Sequence, residues 1–187
     1  MIKFNFNGGN YELRNLPNEL TITEFEHISS IINNGEMDYI DKYMTIFTYL
    51  GLSEDIIDDL DGAKFIQLTK EFSDYQYKAE FTNEIEIDGY KYVAYDGDEF
   101  LPKVKDLKFV EKYIKRNPNK YVANTMAVLF KRSDLTKVEH YDEAHIKYKS
   151  ELFKDLDYSI ALPYIAVILE KITINIKNIA ENGEQTA

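Results

Sequence analysis

The segment YSIALPYIAVILEKITINIKNI, residues 158–179, is the most apolar in the chain. Ile160, Leu162, Ile165, Ile168, Leu169, Ile172, Ile176 and Ile179 recur mostly at steps of three or four, which places them on one broad helical stripe. A stripe of that width needs cover. The expectation is a long C-terminal apolar helix around which the rest of the chain is organised. Next to it, Tyr121 to Phe130 and Ala144 to Phe153 also read as helices, with Asp142 placed to cap the second.

Working back to the N-terminus, Ile2, Phe4 and Phe6 alternate with Lys3 and Asn5, and Tyr11 and Leu13 continue the alternation after Asn7-Gly8-Gly9-Asn10. This predicts a hairpin over 2–13, its turn built from residues that tolerate positive φ. Thr21 and Thr23 each stand three residues before a glutamate, so a helix should begin there, with Phe25, Ile28, Ile31 and Ile32 inward. A second helix is expected over Met37–Leu50, with Ile40, Tyr43, Met44 and Phe47 inward. A short one capped by Ser53 should cover Glu54–Leu60, and another Ala63–Tyr77. The period then changes to two. Glu84-Ile85-Glu86-Ile87 and Tyr90 to Tyr95 flank Asp88-Gly89, the strongest hairpin signal in the sequence. Lys103 to Arg116 returns to helical spacing and stops at Asn117-Pro118, where Asn117 can cap the following helix with Pro118 in its first turn. The fold class expected is mainly α with one or two small antiparallel β-hairpins. The single domain, 1–187, would comprise a hairpin at 2–13, a helical layer at 21–77, a central hairpin at 84–95 and a second helical layer at 103–180.

A length of 187 residues is enough for one such core. The formal net charge of −11 opposes non-specific binding to nucleic acid, which needs cations to neutralise phosphates, and opposes docking on an anionic membrane surface. There is no cysteine, hence no disulfide and no thiolate metal site. No apolar run follows Met1-Ile2-Lys3, so no secretion signal is expected, and the run from Ser159 to Leu169 is too short to span a bilayer.

Residues suited to chemistry are sparse. His140 and His145 are five apart, whereas two imidazoles on one helical face need a spacing of three or four. His27 reads as a surface or half-buried side chain. Asp96-Gly97-Asp98-Glu99 has alternating acids around a glycine but lacks the remaining ligands of a calcium loop, so it reads as a turn. The acids of Asp55 to Asp61 read as a solvated helix face. No nucleophile elbow, no Ser/His/Asp set and no phosphate loop is present. No catalytic, cofactor-binding or metal residue is therefore expected. What remains is surface: tyrosines surround the central hairpin, and Tyr90, Tyr92 and Tyr95, with Ile165 and Ile172 on the exposed side of the terminal helix, are the candidate protein-contact residues.

The order of Leu20-Thr21-Ile22-Thr23-Glu24-Phe25, Met126 to Arg132, Tyr141-Asp142, Glu151-Leu152-Phe153 and the helix through Ala161-Leu162 and Ile165-Ala166 resembles small proteins of tailed-bacteriophage structural modules, namely tail assembly chaperones and tail or virion structural proteins. Ala166-Val167 stands where that group usually has two phenylalanines. The resemblance implies a non-enzymatic protein, without cofactor, whose partners are other phage structural proteins and which is compatible with a homo-oligomer. Its place would be the virion or the cytoplasm of the bacterial host. A host-encoded acidic protein-binding module, and behind it a divalent-metal enzyme, are the rival readings.

Overall fold

The computed structural model describes residues 1–15, 19–74, 80–94, 102–134 and 143–184, with side chains of the last helix described through Thr173. Among them the fold is mixed α+β: eight helices and two small antiparallel sheets. The chain divides into two compact units, Met1–Lys78 with Asp157–Ser159, and Ala79–Leu156 with Ile160–Ala187.

The first unit opens with a hairpin of β1 (Ile2–Phe6) and β2 (Gly9–Leu13), in which Ile2 faces Leu13 and Phe4 faces Tyr11. Asn7 and Gly8 both take positive φ, 47° and 79°, as the two-residue turn that matches strand twist requires. Helices α1 (Ile22–Ile32), α2 (Tyr39–Tyr49), α3 (Glu54–Asp59) and α4 (Gly62–Ser73) follow. Of the two capping boxes open at the start of α1, the chain uses Thr21 with Glu24, and Arg14 grips the same carboxylate at 2.7 Å. Asp38 and Asp61 cap α2 and α4 by accepting from Asp41 and Lys64 backbone N–H groups. Phe47, fully buried, sits at the centre of an aromatic core, its ring 5.9 Å from Phe65 and 6.0 Å from Phe72 in edge-to-face contact. Asp157–Ser159 closes the unit: Thr21 and Asp157 form a bridge, Tyr158 N–H donates to Leu20 C=O at 2.8 Å, and the Tyr158 ring stacks on Phe25.

The second unit contains β3 (Glu84–Ile87) and β4 (Tyr90–Val93), joined through Asp88 and Gly89 at φ 53° and 74°. A third strand, β5 (Lys131–Arg132), adds to β4, with Tyr92 opposite Arg132. Helices α5 (Val104–Arg116), α6 (Val122–Leu129), α7 (Glu143–Phe153) and α8 (Tyr158–Glu184) complete it, the first residues of α8 belonging to the first unit. Val122, Ala123 and Thr125 through Leu129 are all buried, so α6 is covered on nearly every side. Phe130 follows it inward, 5.0 Å from Tyr164 and 6.0 Å from Phe153, while the Tyr164 hydroxyl donates to Thr82 C=O at 2.8 Å.

Several expectations are corrected. The C-terminal helix exists, but its buried residues are Tyr158, Ala161, Pro163, Tyr164, Ile165 and Ile168. Ile160 and Leu162 are half-buried, Leu169 is 37 % exposed, and Ile172 is half-buried. Among the described side chains the stripe is thus fully covered in its first three turns and partly exposed beyond them, and α6 is the more deeply enclosed helix. Asn117 ends α5 and does not cap α6. Its carbonyl accepts from Lys120 N–H at 3.1 Å, turning the chain through Pro118, and α6 starts after Tyr121. Ser53 precedes α3 without a side-chain cap bond. Helix α4 stops at Ser73, because Asp74 leaves helical geometry at φ −95°, ψ 67°. Asp142, Tyr75 and Tyr77 lie outside the described residues.

Candidate protein-interaction surface

The five residues expected to make contacts do not converge. Tyr90 is 46 % exposed at the tip of the β3–β4 hairpin. The Arg132 guanidinium lies 3.7 Å over its ring and is itself clasped by Asp134, through contacts of 2.9 and 2.6 Å. That clasp raises the Arg132 pKa and lowers the Asp134 pKa, in each case chiefly through the hydrogen bond between them. Tyr92 is buried, edge-on to Phe153 at 5.5 Å, and Ile165 is buried as well. Both serve packing: Tyr92 shares a face of β4 with Tyr90 but stands further from the tip, opposite the buried Ile85, and Ile165 falls on the covered stripe of α8. Ile172 is half-buried, and Tyr95 lies outside the described residues.

A better-formed surface lies on the first unit, where α2 and α4 run side by side. Tyr39 and Tyr43 are one helical turn apart on α2, their rings 4.9 Å apart. Thr69 and Ser73 have the same spacing on α4. The Tyr39 hydroxyl donates to Thr69 Oγ1 at 2.8 Å, and the Tyr43 hydroxyl pairs with Ser73 Oγ at 2.7 Å. Thr69 Oγ1 in turn donates to the carbonyl of Ile66 at 2.9 Å, and Ile66 is 61 % exposed. Each tyrosine thus has its polar end tied to α4; the Tyr39 ring stays accessible at 54 %, while the half-buried Tyr43 ring packs on Phe47 and Phe72 and backs it. Asp38 and Asp41 at the start of α2 are exposed beside this ladder. Ile40, expected inward, is 56 % exposed, because the buried line of α2 runs through Ile46 and Phe47. The sequence did carry the signal for the ladder, two tyrosines at i and i+4. What it did not show was that Thr69 and Ser73, thirty residues later, stand beside them.

Among the described residues no group of three or more His, Asp or Glu side chains is arranged to hold a metal ion, and no helix is long and apolar enough to cross a membrane. His27 is exposed with its ring 4.5 Å from that of Tyr49, and His145 is exposed on α7. His140 and Asp96 to Glu99 lie outside the described residues. The arrangement is suited to contact: an accessible aromatic and aliphatic surface, held in place by hydroxyl bonds and edged by carboxylates.

No protein-family model, curated protein or solved structure matches the chain.

Proposed function

We propose that this protein is a non-enzymatic structural or assembly protein of a tailed bacteriophage, working by contact with other virion proteins in the particle or in the host cytoplasm. The phage assignment comes from the sequence resemblance. The observation that supports a contact role is the tyrosine ladder of α2 and α4. The exposed Tyr39 ring, with its hydroxyl already bonded and Tyr43 packed behind it, loses little rotamer freedom on docking, so most of the area it buries is available as affinity. The flanking Asp38 and Asp41 favour a partner with a basic rim. In this reading the long final helix offers a second contact through Leu169 and Ile172.

The test is a pull-down of the full chain against the structural proteins encoded beside it, with wild type compared with a Tyr39→Ala, Ile66→Ser double variant. A tail or baseplate protein should be retained by wild type. Losing two central anchors should weaken retention by roughly 30-fold, the equivalent of about 2 kcal/mol. Mass spectrometry of purified virions then separates a resident component from a transient chaperone. Retention of none of those proteins, together with absence from virions and assembly intermediates, overturns the proposal and leaves the host-encoded binding module.

A further inference from the structure

Helix α5 is out of character with the rest of the chain. It carries Lys105, Lys108, Lys112, Lys115 and Arg116 against two carboxylates, in a protein of net charge −11. At 3.6 residues per turn these five cations fall within an arc of about 100°. All five are exposed, while Asp106 and Val110, on the far side of the helix, are buried. The charge on this face is only partly answered. Lys112 and Arg116 share the single carboxylate of Glu143, Lys115 holds Glu111 at 2.7 Å, and Lys108 has no ion pair among the described residues. Elsewhere the same chain shows the opposite excess. Glu54, Asp55, Asp58 and Asp59 crowd the two turns of α3, all exposed and none ion-paired among the described residues.

We infer that the cationic face of α5 docks on the acidic surface of a second copy of this chain, of which α3 is the most densely charged part. The two faces differ, so the contact is heterologous: each copy uses α5 toward one neighbour and its acidic surface toward another. Cations that already share carboxylates with Glu111 and Glu143 can exchange them for carboxylates of the neighbour at little cost, because exposed ion pairs are weak individually. A nucleic acid fits the same face less well. It would meet those two interleaved carboxylates and the field of a strongly acidic protein. This inference does not rest on the phage reading, since the purified chain alone tests it.

The experiment is sedimentation velocity on the full chain over a range of protein concentration and salt. Mass should rise above the 21.9 kDa monomer with concentration at low salt. It should return to the monomer near 1 M salt, where screening shortens to about 3 Å. A Lys105→Glu, Lys108→Glu variant and an Asp55→Lys, Asp58→Lys variant should each associate at least about tenfold more weakly than wild type. Mixed one to one, they should recover association, because the unaltered α5 face of one variant meets the unaltered acidic surface of the other. Circular dichroism checks that each variant folds. If either does not, the single changes Lys108→Gln and Asp58→Asn, each expected to weaken association by a factor of about two or three, take its place. A wild type that stays monomeric at low salt overturns the inference. So does association indifferent to both variants, a mixture that fails to pair, or an oligonucleotide bound through α5 by a protein that does not self-associate.

Discussion

The Tyr113 hydroxyl, on α5, is shielded from solvent yet has no hydrogen-bond partner among the described residues, although its ring is only half-buried. Burial raises its pKa, the nearby Glu143 carboxylate raises it further, and Arg116 pulls the other way. A stranded buried donor costs about 1–3 kcal/mol relative to water. Tyr113→Phe removes that donor and keeps the ring. The space vacated is that of one oxygen, roughly 10 Å³, and at about 24 cal/mol per Å³ the resulting cavity costs about 0.2 kcal/mol. The variant should therefore be more stable by about 1 kcal/mol, roughly fivefold in the folding equilibrium. The chain has no tryptophan, so urea unfolding is followed by far-UV circular dichroism. With a slope of about 2 kcal/mol/M the midpoint should rise by about 0.5 M at unchanged slope. A second arm lies at high pH. A tyrosine whose folded pKa exceeds its unfolded value near 10 contributes stability that is complete below that value and is lost as pH climbs through the folded one. Phenylalanine has no such loss, so the gap between the two proteins should widen above about pH 10. A midpoint that falls by 0.5 M or so at neutral pH would refute the reasoning, because it would mean the hydroxyl holds a partner worth keeping.

Three further changes test the first unit and the central hairpin. Burial pushes the Glu24 carboxyl up, but the Thr21 N–H and the Arg14 guanidinium outweigh it and hold its pKa below the ordinary value of 4.5. Its stabilisation is thus present above that value and lost as pH falls beneath it. Glu24→Gln should cost about 1 kcal/mol at pH 7 and progressively less toward pH 3, read from urea midpoints at each pH; equal losses at both ends would contradict the assignment. Gly89 sits at φ +74° with nothing within 4 Å of an added Cβ, so Gly89→Ala meets only backbone strain. It should cost about 1 kcal/mol in thermal unfolding, whereas Gly35→Ala, in open space without positive φ, should be neutral or slightly stabilising.

Both hairpins and the helix order were legible because each depends on near neighbours. Asp88-Gly89 sets its own turn, and Thr21 reaches only as far as Glu24. What the sequence hid depends on residues far apart. The strand at Lys131–Arg132 is two residues long and has no period to detect; it exists because β4 offers a free edge and Tyr90 a ring for Arg132 to cover. The deep burial of α6 was likewise masked, since a short run of small and apolar residues reads the same inside or at an edge. The terminal stripe misled for a related reason. Its periodicity marks which side of α8 can be covered, whereas how far the cover extends is decided by other elements. The tyrosine ladder needed Thr69 and Ser73 to be placed beside Tyr39 and Tyr43, and nothing in the order of residues announces that pairing.

The stacking of Tyr158 on Phe25, and the main-chain bonds that accompany it, bear on how this protein is made. The N-terminal unit draws its last three residues from beyond a stretch of more than seventy others. During translation its hairpin and four helices leave the ribosome long before Tyr158 does, so Phe25 and the Leu20 carbonyl wait without their eventual neighbours. Ribosome-bound chains of increasing length should accordingly carry a largely folded but unsealed first unit, closed only when synthesis has passed Ser159.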